Sequence, residues 1–288
     1  MLVDGRILSR IVKAAGIGAG DLCLEIGPGT GNLTRRLLDR GAYVTAVELD
    51  DRFAATLAEK AESIPGRPLA IIHANILDLD LGPVISEIIS RPDTQGQGGV
   101  LKVVANLPYN VATAVIIKLI EAADAGADIQ SMTLLIQKEV AERIAAAPGN
   151  PARGSLSVFC QERADCSPGF IVPPSAFRPP PAVNSMVLRV VLKKNREKNP
   201  QTDGFFDVLT YGGFEHPRKT CYNSIRMSMK KGVCQTLSAS IASSKTGSPE
   251  EFLNLIFGNA EIGTDKRAHQ LSNAEWRKLA DEASHIIR

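Results

Sequence analysis

Asp21-Leu22-Cys23-Leu24-Glu25-Ile26-Gly27-Pro28-Gly29-Thr30-Gly31 is the stretch that decides the fold. A short, mostly apolar run enters a turn with glycine at every second position, and helical spacing begins just beyond it. Glycine tolerates backbone conformations that other residues avoid, so the chain can approach a ligand closely at such a strand-to-helix turn. A dinucleotide-binding fingerprint would place a third glycine at position 32, where Asn32 stands, so a pyrophosphate-binding dehydrogenase fits poorly. Working outward, further strand-like runs lie at Tyr43–Glu48, Leu69–His73, 100–105 and 132–136. Between them Leu33, Leu37 and Leu38, then Phe53, Leu57 and Ala61, then Val111, Val115 and Leu119 recur at three-to-four-residue spacing. That alternation predicts an α/β fold with a doubly wound, mostly parallel sheet covered by helices.

Loops are expected at 65–68, 91–99 and 148–154, where turn-forming residues cluster. A last strand is expected over 183–192, and 138–144 reads as an amphipathic scaffold helix with Glu139 and Arg143 at i,i+4. The charged stretch 193–201 reads as a linker. From Phe205 onward the pattern is helical, which predicts a Rossmann-like domain over 1–195 and a small helical domain over 196–288. The 288 residues suffice for this two-part architecture. No stretch approaches the ~18 continuous apolar residues of a membrane span, and Asp4, Arg6 and Arg10 interrupt any signal-peptide core, so a cytoplasmic protein is expected. Five scattered cysteines show neither zinc-ligand nor redox-pair spacing, so reduced thiols and no metal site are expected. Net charge is only +2, but from Arg189 to Lys231 ten basic residues face four acidic ones, a local excess suited to a polyanion.

Three strand ends carry the chemistry. Glu48 closes its strand where a carboxylate can accept from both hydroxyls of a ribose, which points to a nucleoside cofactor at the glycine turn. Asn75, after the next strand, is placed to meet the cofactor's adenine, although an asparagine there is also a common turn residue. Asn106-Leu107-Pro108-Tyr109 ends the third. An exocyclic adenine amine is a poor nucleophile because its lone pair is delocalised into the ring. The Asn106 side-chain oxygen and a backbone carbonyl near Leu107 or Pro108 can accept both amine hydrogens and turn the lone pair toward a methyl donor, without a general base. Pro108 stiffens that turn, and Tyr109 offers a stacking face for a base flipped out of its helix. Phe177, held in a proline-rich loop, offers either a second stacking face or a hydrophobic plug.

Taken together, these motifs resemble the small-subunit ribosomal RNA adenine N6,N6-dimethyltransferase family across nearly the whole chain. Leu24 to Gly31, Val47-Glu48-Leu49-Asp50, Asn106-Leu107-Pro108-Tyr109-Asn110, Gln137-Lys138-Glu139-Val140 and Phe177-Arg178-Pro179-Pro180-Pro181-Ala182-Val183 stand in the family's order. His216 to Ser224 is similar to its Arg-Lys-Thr-Leu-Arg-Asn-Ser signature, which separates the chain from resistance methyltransferases of large-subunit RNA. The resemblance implies S-adenosylmethionine as cofactor, held by Leu2, Glu25, Gly27, Gly29, Glu48, Leu49, Asn75, Ile76 and Asn106. It implies catalysis by Asn106, Leu107, Pro108, Tyr109 and Phe177, and an antiparallel last strand. It also implies RNA contacts by Arg178, Arg218, Lys219, Asn223 and Arg226.

The implied reaction is dimethylation of two adjacent adenosines near the 3′ end of small-subunit ribosomal RNA, on an immature subunit, by a monomer. Three departures stand out. The chain lacks the basic segment and Gln-Asn-Phe-Leu with which members begin, keeping only Leu2; Asn75 replaces an Asp; and His269 replaces a Glu. The alternatives are a non-catalytic ribosome-assembly or nucleic-acid-binding factor on this fold, and a DNA adenine methyltransferase, which the absence of a separate DNA-recognition domain disfavours.

Overall fold

A computed structural model describes residues 1–65, 68–90, 100–194, 196–231 and 248–287. The expected loop at 91–99, part of that at 65–68, Asn195 of the expected linker and Cys234 lie outside the described residues. The chain divides into two compact units: Met1–Glu142 with Arg163–Lys193, and Arg143–Glu162 with Lys194–Arg288.

The first unit is built on one seven-stranded sheet. In chain order its strands are β1 (Leu22–Ile26), β2 (Tyr43–Glu48), β3 (Leu69–His73), β4 (Leu101–Asn106), β5 (Ile129–Gln137), β6 (Ala164–Val172) and β7 (Ser185–Leu192). Their order across the sheet is β3-β2-β1-β4-β5-β7-β6. The pairs from β3 through β5 are parallel, whereas β7 runs antiparallel to both β5 and β6. Strand β1 is buried at all five positions because it has parallel neighbours on both sides, which is why its sequence reads as an apolar run without alternation.

Helices α1 (Gly5–Ala14), α2 (Asn32–Leu38), α3 (Asp51–Ser63), α4 (Leu81–Ile89) and α5 (Ala112–Asp124) complete most of this unit. Asp4 and Asp50 start α1 and α3 by accepting from the Arg6 and Arg52 amides at 2.8 and 3.0 Å. Asp50, part of the Val47-Glu48-Leu49-Asp50 motif, is thus a helix cap. Helix α5 buries Val115 and Leu119 of the expected stripe together with Ile116 and Ile120, while Val111 caps the helix and is only partly buried.

Strand β6 is the element that sequence reasoning did not anticipate. It carries Pro168 and Gly169, both strand-weakening, and its pairing with β7 shifts register between Pro168 and Ile171. It lies at the end of the sheet, where a missing amide does not break an inner ladder. A side chain at Gly169 would come within 2.9 Å of the Val187 carbonyl, so close backbone approach accounts for that glycine.

The second unit is helical, with α8 (Pro200–Glu215), α9 (Cys221–Lys230), α10 (Pro249–Asn259) and α11 (Asn273–Ile286). Its core includes Phe206, Leu209, Ile225, Phe252, Trp276 and Leu279, all fully buried. Gly213 lets Trp276 lie against α8: a Cβ there would sit 2.4 Å from the indole. Helices α6 (Lys138–Ile144) and α7 (Ser155–Arg163) flank the segment Arg143–Glu162, which belongs to this unit rather than to the sheet. Arg277 of α11 binds Glu162 and Asp203 at 2.5 and 2.7 Å, Arg196 also reaches Asp203 at 2.7 Å, and Val158 enters the helical core. The expected division at 195/196 places this segment with the sheet; its packing puts it with the helices. Among the described residues, no helix is long and apolar enough to cross a membrane.

Candidate active site

The parallel register brings the expected residues to one edge. Ile26 is level with Val47 of β2 and with Ala105 of β4, and Glu48 is level with His73 of β3. Gly27, Glu48, Asn75 and Asn106 therefore all leave the carboxyl ends of adjacent strands. The strand order reverses between β1 and β4, and open α/β sheets bind ligands in the crevice at such a switch point.

The glycine turn is held from two sides. Gly27, Gly29 and Gly31 all have positive φ, at 67°, 55° and 81°, which side chains rarely adopt. The Gly27 amide donates to the Val47 carbonyl and the Gly29 amide to Glu48 Oε2, both at 2.9 Å. Glu48 Oε1 accepts from the Leu49 and Asp50 amides, each at 2.9 Å. Three of about four acceptor sites on this carboxylate are thus taken by backbone, which fixes its direction and leaves capacity for a ribose hydroxyl. Leu49 is 64% exposed beside it, an apolar surface at the same edge.

Glu25 lies beneath the turn. It is 1% exposed, and its Oε2 has no hydrogen-bond partner. Burial pushes its carboxyl up to about 8, and the neighbouring Glu48 carboxylate adds to the rise. A small cavity of about 40 Å³ brings Glu25, Gly27, Gly29, Asn106 and Leu2 together. Leu2 is buried, bridges to Phe177, and accepts from the Asn32 side chain at 3.0 Å. The Met1 sulfur lies 3.2 Å from where a Gly29 Cβ would be, so the first residues cover the glycine turn.

Asn75 is occupied locally. Its Oδ1 accepts from the Leu77 amide and its Nδ2 donates to Asp78, both at 3.1 Å, an Asx turn that leaves neither polar atom idle; Ile76 beside it is buried. At the third strand end the Leu107 amide donates to the Leu135 carbonyl at 3.1 Å, and the Leu107 side chain is buried. The Pro108 carbonyl accepts from the Val111 and Ala112 amides, so both of its lone pairs serve the first turn of α5. Tyr109 is half-buried, and its hydroxyl bonds to the fully buried Ser185 Oγ at 2.7 Å. Ser185 escaped sequence reasoning, since a single serine at a strand start carries no pattern.

Phe177 is 6% exposed and packs in the core cluster with Leu2 and Ala176. Of the two roles its sequence allowed, this is the plug; the ring is not presented as a stacking face. Arg178 is exposed, and its backbone pairs with Met1 in both directions at 2.7 and 2.8 Å.

In the second unit, Arg218 and Lys219 are exposed and line a cavity of about 460 Å³ with His216 and Lys231. Asn223 donates to Thr220 Oγ1, closing the start of α9. Arg226 lies close enough to the Glu250 carboxylate to help hold it below its usual range, after the hydrogen bond from Lys230. The local basic excess therefore overstates free charge, because Lys230 is paired with Glu250, which lies outside the counted stretch. His269 contributes its backbone carbonyl to the Gly149 amide at 2.8 Å.

A methyltransferase of the Rossmann-like class is what this edge describes: a glycine turn and a backbone-held carboxylate at a switch point, beside an Asn-Leu-Pro-Tyr strand end. The residues fit S-adenosylmethionine, as the open carboxylate site on Glu48 and the unpartnered oxygen of Glu25 indicate.

Comparison with known proteins narrows the class. Residues 1–256 match the ribosomal RNA adenine dimethylase family, and the chain belongs to it. It is 36% identical to the ribosomal RNA small subunit methyltransferase A of Ligilactobacillus salivarius over 97% of this chain and 86% of that one. It is 35% identical to the protein of the same name from Clostridium acetobutylicum over 98% and 90%. The fold matches a dimethyladenosine transferase from Plasmodium falciparum with a TM-score of 0.75 at 22% identity, covering 97% and 95% of the two chains. It matches the 23S rRNA methyltransferase ErmE at 0.66 and 20%, covering 98% of each. The enzyme is an S-adenosylmethionine-dependent adenine dimethyltransferase.

Proposed function

We propose that the enzyme dimethylates N6 of two adjacent adenosines near the 3′ end of small-subunit ribosomal RNA, in an immature subunit, acting as a monomer in the cytoplasm. The observation that carries this reading is the alignment of Asn106-Leu107-Pro108-Tyr109 with the glycine turn and Glu48 at one sheet edge. Bound S-adenosylmethionine supplies an electrophilic methyl group on a positively charged sulfur. Glu48 and the glycine turn orient the nucleoside end, with Leu49 and Ile76 as apolar neighbours, and Glu25 faces the cofactor from below.

The Asn106 side-chain oxygen and the Leu107 carbonyl accept the two amine hydrogens. The Pro108 carbonyl drops out of this role because α5 uses it. Tyr109, braced by Ser185, stacks on the flipped adenine, a contact worth about 1 to 3 kcal/mol. The chain's part in the transfer is positioning and charge stabilisation, so no residue acts as general base. Arg178, Arg218, Lys219 and Arg226 hold phosphates, and Asn223, bonded to Thr220, supports the turn that presents Arg218 and Lys219.

Incubation with methyl-labelled cofactor and immature small subunits lacking the modification tests the reading. Labelled N6,N6-dimethyladenosine in the RNA digest is the expected product; labelled cofactor bound by the protein with no label in RNA would overturn it.

A further inference from the structure

A second cavity of the first unit lies beside the cofactor crevice. It is an open groove of about 570 Å³ between α2, α3 and the start of α1, and it shares only Leu8, Thr30 and Asn32 with the small cavity above Glu25. Arg35 and Arg36 of α2 and Lys60 of α3 line it, and among the described residues no carboxylate does. Arg35 and Lys60 are exposed, and Arg36 makes a loose contact with Asp39 at 3.9 Å. The groove's apolar walls come from Leu38, Leu57, Ile64 and Leu69.

Three cations over an apolar floor match a strand of RNA better than a free anion: the guanidinium and ammonium groups meet phosphates, and ribose or base carbon lies against the leucines. An acidic protein segment would satisfy the cations too. Two adjacent Arg side chains and a Lys, spread over two helices, suit a repeating phosphate backbone instead.

We propose that this groove is a second RNA-binding site of the enzyme, seating a single-stranded stretch of the ribosomal RNA substrate on Arg35, Arg36 and Lys60. This rests on the reading of that RNA as substrate. It would give the first unit its own grip on the RNA, separate from the basic turn of the second unit.

The test compares the full chain with its Arg35→Gln/Arg36→Gln/Lys60→Gln variant for binding of a 3′-terminal small-subunit RNA fragment between 50 and 200 mM salt. Each lost phosphate contact removes about 0.7 to 0.9 from the log–log salt slope, so three contacts amount to about 20- to 40-fold more affinity lost by the wild type across that range. Cofactor titration checks that the variant is folded. Should it fail to bind cofactor, photocrosslinking of 4-thiouridine-substituted RNA to the wild type decides, with crosslinks on α2 or α3 expected. An unchanged salt slope in a folded variant, or crosslinks confined to the second unit, would overturn the proposal. Wild type that binds the RNA with this slope yet transfers no methyl group would sink the substrate reading while leaving the groove in place.

Discussion

The contact between Tyr109 and Ser185 is open to a double-mutant cycle whose outcome follows from its geometry. Ser185 is fully buried on β7, opposite Gln137 of β5 and Val172 of β6, and its hydroxyl meets the Tyr109 hydroxyl at 2.7 Å. Tyr109→Phe removes one partner and leaves the buried serine hydroxyl unsatisfied, at a cost of about 1 to 3 kcal/mol. Ser185→Ala leaves the Tyr109 hydroxyl at a half-buried position that water reaches, so only the net bond is lost, about 0.5 to 1.5 kcal/mol. In the double variant neither group is left unpaired. Its destabilisation should fall below the sum of the two by about 0.5 to 1.5 kcal/mol or more.

Urea unfolding of the four proteins measures that coupling. Single-turnover methylation then separates bracing from mere stability. A ring free to rock loses part of its stacking energy, and about 1 kcal/mol of that corresponds to roughly a fivefold loss in kcat/KM. Because the hydroxyl acts only through the bond, all three variants should lose the same fold in transfer. Strict additivity in stability, or full activity in Tyr109→Phe alongside impaired Ser185→Ala, would refute the bracing role.

Three further outcomes are expected. Asn106→Ala should bind RNA as the wild type does and lose at least about 100-fold in methyl transfer, as removal of a preorganised acceptor does elsewhere; equal loss of RNA binding in a filter assay would count against it. Glu25→Gln should flatten the pH dependence of stability. The native carboxyl titrates near 8, above its usual value of 4.5, so its contribution is complete below about pH 4.5 and is lost as pH rises toward 8, by about 1.4 kcal/mol per pH unit at most. Parallel urea-midpoint profiles for the two proteins between pH 5 and 8 would contradict this. Gly213→Ala should destabilise the helical unit by about 1 to 3 kcal/mol, since the new methyl lies 2.4 Å from Trp276 and 3.3 Å from the Cys221 sulfur. An unchanged unfolding midpoint would show that the indole moves aside.

What was legible in the sequence is what local pattern records. Strands β1 and β2 carry their sequence-expected bounds because central parallel strands must be apolar on both faces, β3 at the sheet edge keeps its bounds as a short apolar run, and a polar residue at the end of such a run stands out, as Glu48 and Asn106 do. Pattern fails where the partner lies far along the chain. Strand β6 is stabilised by β7 on one side only and so tolerates the Pro168 and Gly169 that disguise it. Ser185 meets Tyr109 across 76 residues, with nothing in either neighbourhood to announce it. The segment Arg143–Glu162 belongs with the helical unit, where Glu162 pairs with Arg277 of α11 across 115 positions. Charge itself misleads for the same reason: Lys230 counts toward a basic surface in the sequence but is paired with Glu250 in the fold.

The two acceptors proposed for the amine differ in a way that bears on the second methylation. The first transfer replaces one of the two N6 hydrogens, so one acceptor must give up its bond and make room for a methyl group. The Leu107 carbonyl is held by a backbone on which it has little freedom: its own amide is tied to Leu135, its side chain is 2% exposed, and the fixed φ of Pro108 follows it. Asn106 is half-exposed and can turn about its side-chain bonds without disturbing β4. The rigid carbonyl should therefore keep the remaining hydrogen in the second round, while Asn106 yields to the methyl. On that argument Asn106→Ala impairs the second transfer less than the first, by most of the roughly 100-fold that loss of the preorganised acceptor costs the first. Single-turnover rates on RNA carrying adenosine or N6-methyladenosine at the target position measure the difference. Equal deficits on the two substrates would mean that Asn106 holds a hydrogen in both rounds and that the Leu107 carbonyl is the acceptor displaced.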